Sequence, residues 1–173
     1  LKNKADPNDS DSYGVTALIS AAMVTGRELI SGDESHLKSS ADIIKLLLKH
    51  GADVNLKAKS GNTPLAEAAG CANRRAMIAL VEAGANPNVT TTAGVRGEIS
   101  PLMMACLKHD VPLVETLLSK GADVNFVNNQ GMSAATMAMN APFDEKSKDA
   151  ARKTIEILIA AGAKMEMSAN SPI

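Results

Sequence analysis

One five-residue motif returns along this chain, and its spacing constrains the fold more than composition does. Gly51-Ala52-Asp53-Val54-Asn55 reappears as Lys4-Ala5-Asp6-Pro7-Asn8, Gly84-Ala85-Asn86-Pro87-Asn88, Gly121-Ala122-Asp123-Val124-Asn125 and the worn copy Gly162-Ala163-Lys164-Met165-Glu166. The copies begin at residues 4, 51, 84, 121 and 162, so the bare unit is 33 residues and the other units carry inserts of 14, 4 and 8. A chain with this periodicity folds as an array, because each unit is one supersecondary element that hides its apolar face only against its neighbours.

A second signal keeps the same time. Thr16-Ala17-Leu18, Thr63-Pro64-Leu65, Ser100-Pro101-Leu102 and Ser133-Ala134-Ala135 each follow a glycine and precede a small, apolar run. A hydroxyl residue caps the free N–H groups of a starting helix, and Pro fits its first turn. The later part of each unit, such as Ile43 to Gly51, has apolar residues at helical spacing and stops at Gly, which tolerates the left-handed helix end. Each unit therefore reads as turn, helix, helix, turn.

The combination Asp-Val-Asn, Gly-x-Thr-Pro-Leu and Leu-Leu-Leu-x-x-Gly-Ala resembles the ankyrin repeat, from Ala5 to about Met165. The resemblance implies an all-α solenoid of stacked helix-turn-helix units with projecting β-turn or hairpin fingers. The expected division is a remnant at 1–5, units at 6–51, 52–84, 85–121 and 122–162, and a tail at 163–173. Ile19, Ala66, Met103 and Thr136 replace the His that commonly follows Thr-Pro-Leu. Lys4 and His109 stand where Gly is usual, which weakens the expected tight turns. Leu1 to Asp6 align with Leu48 to Asp53, so the chain reads as starting in the last turn of a second helix and as excised from something longer.

Within the units, helices are expected near Thr16 to Val24, Ser40 to His50, Pro64 to Gly70 and Arg74 to Ala83, with the last second helix starting as early as Asp144. Two inserts, at Thr25 to Ser39 and Ala141 to Lys148, lie between helices, where they offer a further contact surface; a third, Thr90 to Gly97, lengthens a finger. Hydrophobic residues form 45% of the chain and aromatics only 2%. That suits thin helices packed closely, with the nine methionines filling irregular gaps.

Chemistry finds little footing. The three histidines sit at unrelated places in the unit, and Asp6, Asp53 and Asp123 recur with the period, as turn-forming carboxylates do. The spacing proposes no catalytic set, metal-ligand cluster, phosphate loop or cofactor fingerprint. A formal net charge of −1, with no basic stripe interleaved with aromatics, argues against nucleic acid. No apolar run approaches the roughly 20 residues that cross a bilayer. Cys71 and Cys106 lack paired spacing and read as free thiols, which favours a cytoplasmic setting.

What remains is recognition of a protein partner by a monomeric, non-catalytic chain. The resemblance implies a concave groove of finger tips and first helices, and position by position this selects Tyr13, Lys57, Lys59, Asn62, Glu67, Arg96, Glu98, Met104, Leu107, Lys108, Asn129 and Met132. Tyr13, the sole Tyr, is the favoured anchor. In the row Ser20, Glu67, Met104 and Met137, expected to be half exposed, Glu67 stands where the family usually has an apolar residue; it is read as pairing with Lys59 or Lys108, or as awaiting a basic group of the partner. Phe126 is expected to pack inward and Phe143 to cap the last helices. A targeting or autoinhibitory segment of a larger enzyme, channel or secreted effector is the competing reading, and a small ligand in the groove the third.

Overall fold

The computed structural model describes residues 5–24, 35–91, 98–142 and 147–165. Among these residues eight helices form four consecutive pairs: α1 (Ala17–Ala22) with α2 (Ser35–Lys49), α3 (Pro64–Gly70) with α4 (Arg74–Glu82), α5 (Pro101–Leu107) with α6 (Val111–Ser119), and α7 (Ala134–Asn140) with α8 (Lys148–Ala160). The first helices pack in one row, α1 on α3, α3 on α5 and α5 on α7, and the second helices in another, α2 on α4, α4 on α6 and α6 on α8. This is an all-α repeat solenoid.

The expected start signals act as caps. Thr16, Thr63, Ser100 and Ser133 each accept a hydrogen bond from the amide three residues on, closing the first turns of α1, α3, α5 and α7. Asn73 and Asp110 do the same for α4 and α6. Gly51, Gly84, Gly121 and Gly162 end the second helices at φ of 85 to 90°, a conformation that favours glycine. The first helix is shorter than its expected span. The second begins earlier, at Ser35, and the last begins at Lys148, with Asp144 outside the described residues.

Ahead of each first helix the chain makes a finger. Isolated antiparallel bridges close three of them, Ser10 with Thr16, Thr91 with Ile99 and Val127 with Ser133. In the remaining finger Ala58 N donates to Asn62 O at 3.0 Å. Neighbouring fingers touch: Lys59 N donates to Tyr13 O at 3.0 Å, and Asn128 Nδ2 to Glu98 O at 2.9 Å. Gly14, at φ +75°, lies so near the next finger that a Cβ would sit 2.9 Å from Lys59 N.

The recurring Asp-x-Asn explains the stacking. Within a turn, Asp6, Asp53, Asn86 and Asp123 each accept from the amide two residues on. The Asn so oriented then reaches the next turn. Asn8 Oδ1 takes Asp53 N while its Nδ2 donates to Gly51 O; Asn88 bonds Asp123 N and Gly121 O, and Asn125 bonds Lys164 N and Gly162 O, in the same way. Asn55 Oδ1 takes Asn86 N. The carboxylates expected to serve turns do so.

His109 corrects an expectation. Its turn between α5 and α6 forms despite the missing Gly, with His109 itself at φ 49° and Ala72 at φ 54° in the preceding turn. The ring is buried, neither nitrogen has a hydrogen-bond partner among the described residues, and burial lowers its pKa below the usual histidine value. Phe126 packs against the core as expected. Lys4, Arg96, Phe143, and residues 25–34 of the first insert lie outside the described residues.

Two predictions concern stability. Asn88→Ala removes two bonds between turns, of about 0.5–1.5 kcal/mol each, and lowers unfolding stability by about 1–3 kcal/mol in a denaturant titration, whereas Asn129→Ala on a finger tip changes it by less than about 0.5. For His109, the unfolded chain takes up a proton near pH 6.5 and the folded chain only at lower pH, so stability falls as pH drops below about 6.5. His109→Gly relieves the left-handed conformation, raises stability at pH 7 by about 1 kcal/mol, and flattens the curve between about pH 7 and 5.

Candidate functional site

The residues expected to meet a partner fall into three groups. Tyr13, Lys57, Lys59 and Asn129 are exposed on the fingers, with Tyr13 at 73% of its possible surface. Glu98, Met132 and Leu107 are half-buried and Lys108 is exposed. Asn62 and Met104 depart from expectation and are buried, at 5% and 8% exposure. In the aligned row, Ser20 is exposed, Glu67 half-buried, and Met104 and Met137 buried. The row is therefore not uniformly half-exposed.

Asn62 is buried for a reason. Its side chain turns from the finger toward α3 and donates from Nδ2 to Glu67 Oε1 at 2.8 Å. Glu67 is thereby oriented by a neutral partner, and it forms no ion pair with Lys59 or Lys108. One turn later on the same face lies Cys71, which caps α3 and is half-exposed. Its thiol pKa is raised, first by burial and then by the charge of Glu67. Cys106, fully buried in α5, is pushed up to about 12 by burial alone.

Sequence reasoning missed a pocket of about 340 Å³ between the α3–α4 and α5–α6 turns. Met77, Met104, Ala105 and Leu113 make its apolar lining, and Ala72, Arg74, Lys108 and Asp110 complete it. Arg74 Nε bonds Asp110 Oδ2, and Arg74 Nη2 reaches Asp110 Oδ1 at 3.2 Å, so this ion pair joins successive helix pairs beside the pocket. Lys108, the C-cap of α5, has no such partner among the described residues. Two of the expected residues, Met104 and Lys108, thus meet in one cavity. The available signal was Asn73-Arg74 aligned with Asp110-Val111 one unit apart, which places opposite charges on neighbouring turns.

Among the described residues no group of three or more His, Cys, Asp or Glu could hold a metal ion. No helix described is long and apolar enough to cross a membrane.

Stacked helix pairs with fingers held side by side define a repeat protein of the interaction-module kind. A family model described as ankyrin repeats in three copies matches residues 1–91, and the single ankyrin repeat model matches residues 98–129. The chain belongs to the ankyrin-repeat family. It is similar to human ankyrin repeat and MYND domain-containing protein 1, with 31% identity over 133 residues, 72% of this chain and 14% of the human protein. Human BCL-6 corepressor-like protein 1 is 31% identical over 54% of this chain and 4% of its own length. The E3 ubiquitin-protein ligase KEG of Arabidopsis thaliana is 31% identical over 62% of this chain and 6% of its own length. The chain thus spans a small part of each relative.

The two thiols give a check on this surface. At pH 8 an alkylating reagent labels Cys71 slowly and leaves Cys106 untouched until denaturant is added. Glu67→Gln speeds labelling of Cys71 alone, by a small factor because burial is the larger cause.

Proposed function

We propose that this chain is a non-catalytic, monomeric protein-binding module of the cytoplasm that meets its partner on a groove formed by its finger tips and first helices. The observation that carries this reading is Tyr13. Its side chain is 73% exposed, yet its own carbonyl is bonded to the next finger and its amide to Asp11 Oδ1. A large aromatic held on a fixed backbone offers much contact area and loses little entropy when it is covered. Exposed Lys57 and Lys59 on the neighbouring finger supply a polar rim beside it. The free thiols Cys71 and Cys106 are consistent with a reducing compartment.

A role as the targeting segment of a larger protein agrees with the small share of each relative that the chain spans. In that case the same groove would act on behalf of domains elsewhere. The two readings share one surface and one test.

That test compares the chain with a folded Tyr13→Ala/Lys59→Glu variant as baits in cell lysate, read by mass spectrometry. A protein retained by the first and reduced at least about tenfold with the second is the expected result, as for loss of an interface hot spot. Equal retention by both baits would remove the finger tips from the binding surface.

A further inference from the structure

We propose that the face joining Glu67 to the Met104 pocket selects an extended protein segment carrying a basic residue, an apolar residue and an acidic residue at alternate positions, in that order from α3 to α5. The inference rests on the protein-binding reading above and names the chemistry of the partner.

Glu67 and Met104 occupy the same place on adjacent helices, each four residues after the capping hydroxyl, Thr63 or Ser100. Because α3 packs on α5, the two positions lie about 8–10 Å apart, the usual distance between packed helices. Glu67 is a carboxylate with no cationic partner among the described residues, held by the 2.8 Å bond from the buried Asn62. One oxygen is fixed by that bond, which leaves the other for a guanidinium or ammonium group brought by a partner. On the neighbouring helix the cavity lined by Met77 and Met104 is largely apolar and, at about 340 Å³, large enough for a Leu, Met or Phe side chain.

The third element is Lys108, one helical turn beyond Met104 on α5 and on the edge of the same cavity. Its neighbour Arg74 is neutralised by Asp110, so among the described residues lining the cavity Lys108 is the cation that remains for an incoming acid. The charge on this face therefore changes sign across the pocket. A turn of about 6 Å along α5, combined with the spacing between helices, sets Glu67 and Lys108 roughly 10–12 Å apart. Five residues of an extended strand span about 13 Å, and their first, third and fifth side chains share one face. Matching three side chains fixes both register and direction, and a reversed segment would set like charges together.

The experiment is selection of 12-residue peptides from a random phage-displayed library, on the chain and on a Glu67→Lys/Lys108→Glu variant with an unchanged thermal midpoint. The chain should enrich base-x-apolar-x-acid, and the variant the reverse order. For a synthetic wild-type-selected peptide, Glu67→Gln, which keeps an acceptor for Asn62, should weaken binding about tenfold, as should Ala in place of the peptide's basic residue, and the two losses should not add. If peptides are lost on Met104→Glu but show no charge order, or if Glu67→Gln changes their affinity less than twofold, the charge pattern is wrong while the protein-binding surface stands. Peptides indifferent to Met104→Glu, Glu67→Gln and Tyr13→Ala/Lys59→Glu, or no enriched peptide at all, would overturn both.

Discussion

The structure depends on one asparagine per unit. Asn8, Asn88 and Asn125 each complete two bonds to the following turn, one accepted and one donated, and Asn55 accepts one. These bonds satisfy backbone groups at the end of a second helix, where carbonyls otherwise lack partners. They also fix the distance between successive turns. Once turns are spaced, the fingers and both rows of helices follow in register, so a local turn motif sets long-range order. The Asp two residues before the Asn orients it, by accepting from its amide, and this is why the pair recurs as Asp-x-Asn.

Packing between units then demands small residues. Ala68, Ala69, Ala105, Cys106, Ala135 and Ala138 are buried where first helices meet. Larger side chains, among them Leu65, Leu80, Leu102 and Leu117, fill the space between the rows. Methionine takes up irregularities: Met77, Met103 and Met137 are buried, while Met23 is exposed where a first helix ends. The interior therefore holds close backbones and few rings. Inserts fall between elements of the repeat, where added residues cost little closure entropy. Ser40 still bonds Ala21 O across the first insert, and α2 still packs on α1 and α4.

How much could be read beforehand depends on what periodicity records. It records position along the unit, so the helices, caps and turn carboxylates were legible from aligned residues. It does not record direction. Asn62 occupies a finger position, but its side chain turns inward to Glu67, because a buried amide needs a partner and that carboxylate lies five residues on. Met104 lies on α5 at the expected repeat position, yet it is buried where half-exposure was expected, since exposure depends on neighbouring units that one unit's pattern does not record. The pocket went unread because two turns from different units make it, and its signal lies in comparing neighbouring units rather than in one unit's pattern. His109 taught the converse: absence of Gly did not prevent the turn, because the surrounding caps and helix ends over-determine it.

That over-determination bears on recognition. Ala72 and His109 hold left-handed conformations at the α3–α4 and α5–α6 turns, which are the two turns that frame the pocket. Each conformation costs of the order of 1 kcal/mol and persists because Asn73 and Asp110, the next residues, are anchored as caps, Asn73 also bonding Val24 O in the preceding pair and Asp110 bonding Arg74. The cavity walls are thus set by backbone that the neighbouring units hold in place. On the proposed reading, a partner would meet walls already formed and pay for ordering only on its own side. On the proposed reading, specificity would lie in the few side chains that break the repeat, such as Glu67, while the residues that keep the repeat hold those exceptions in position.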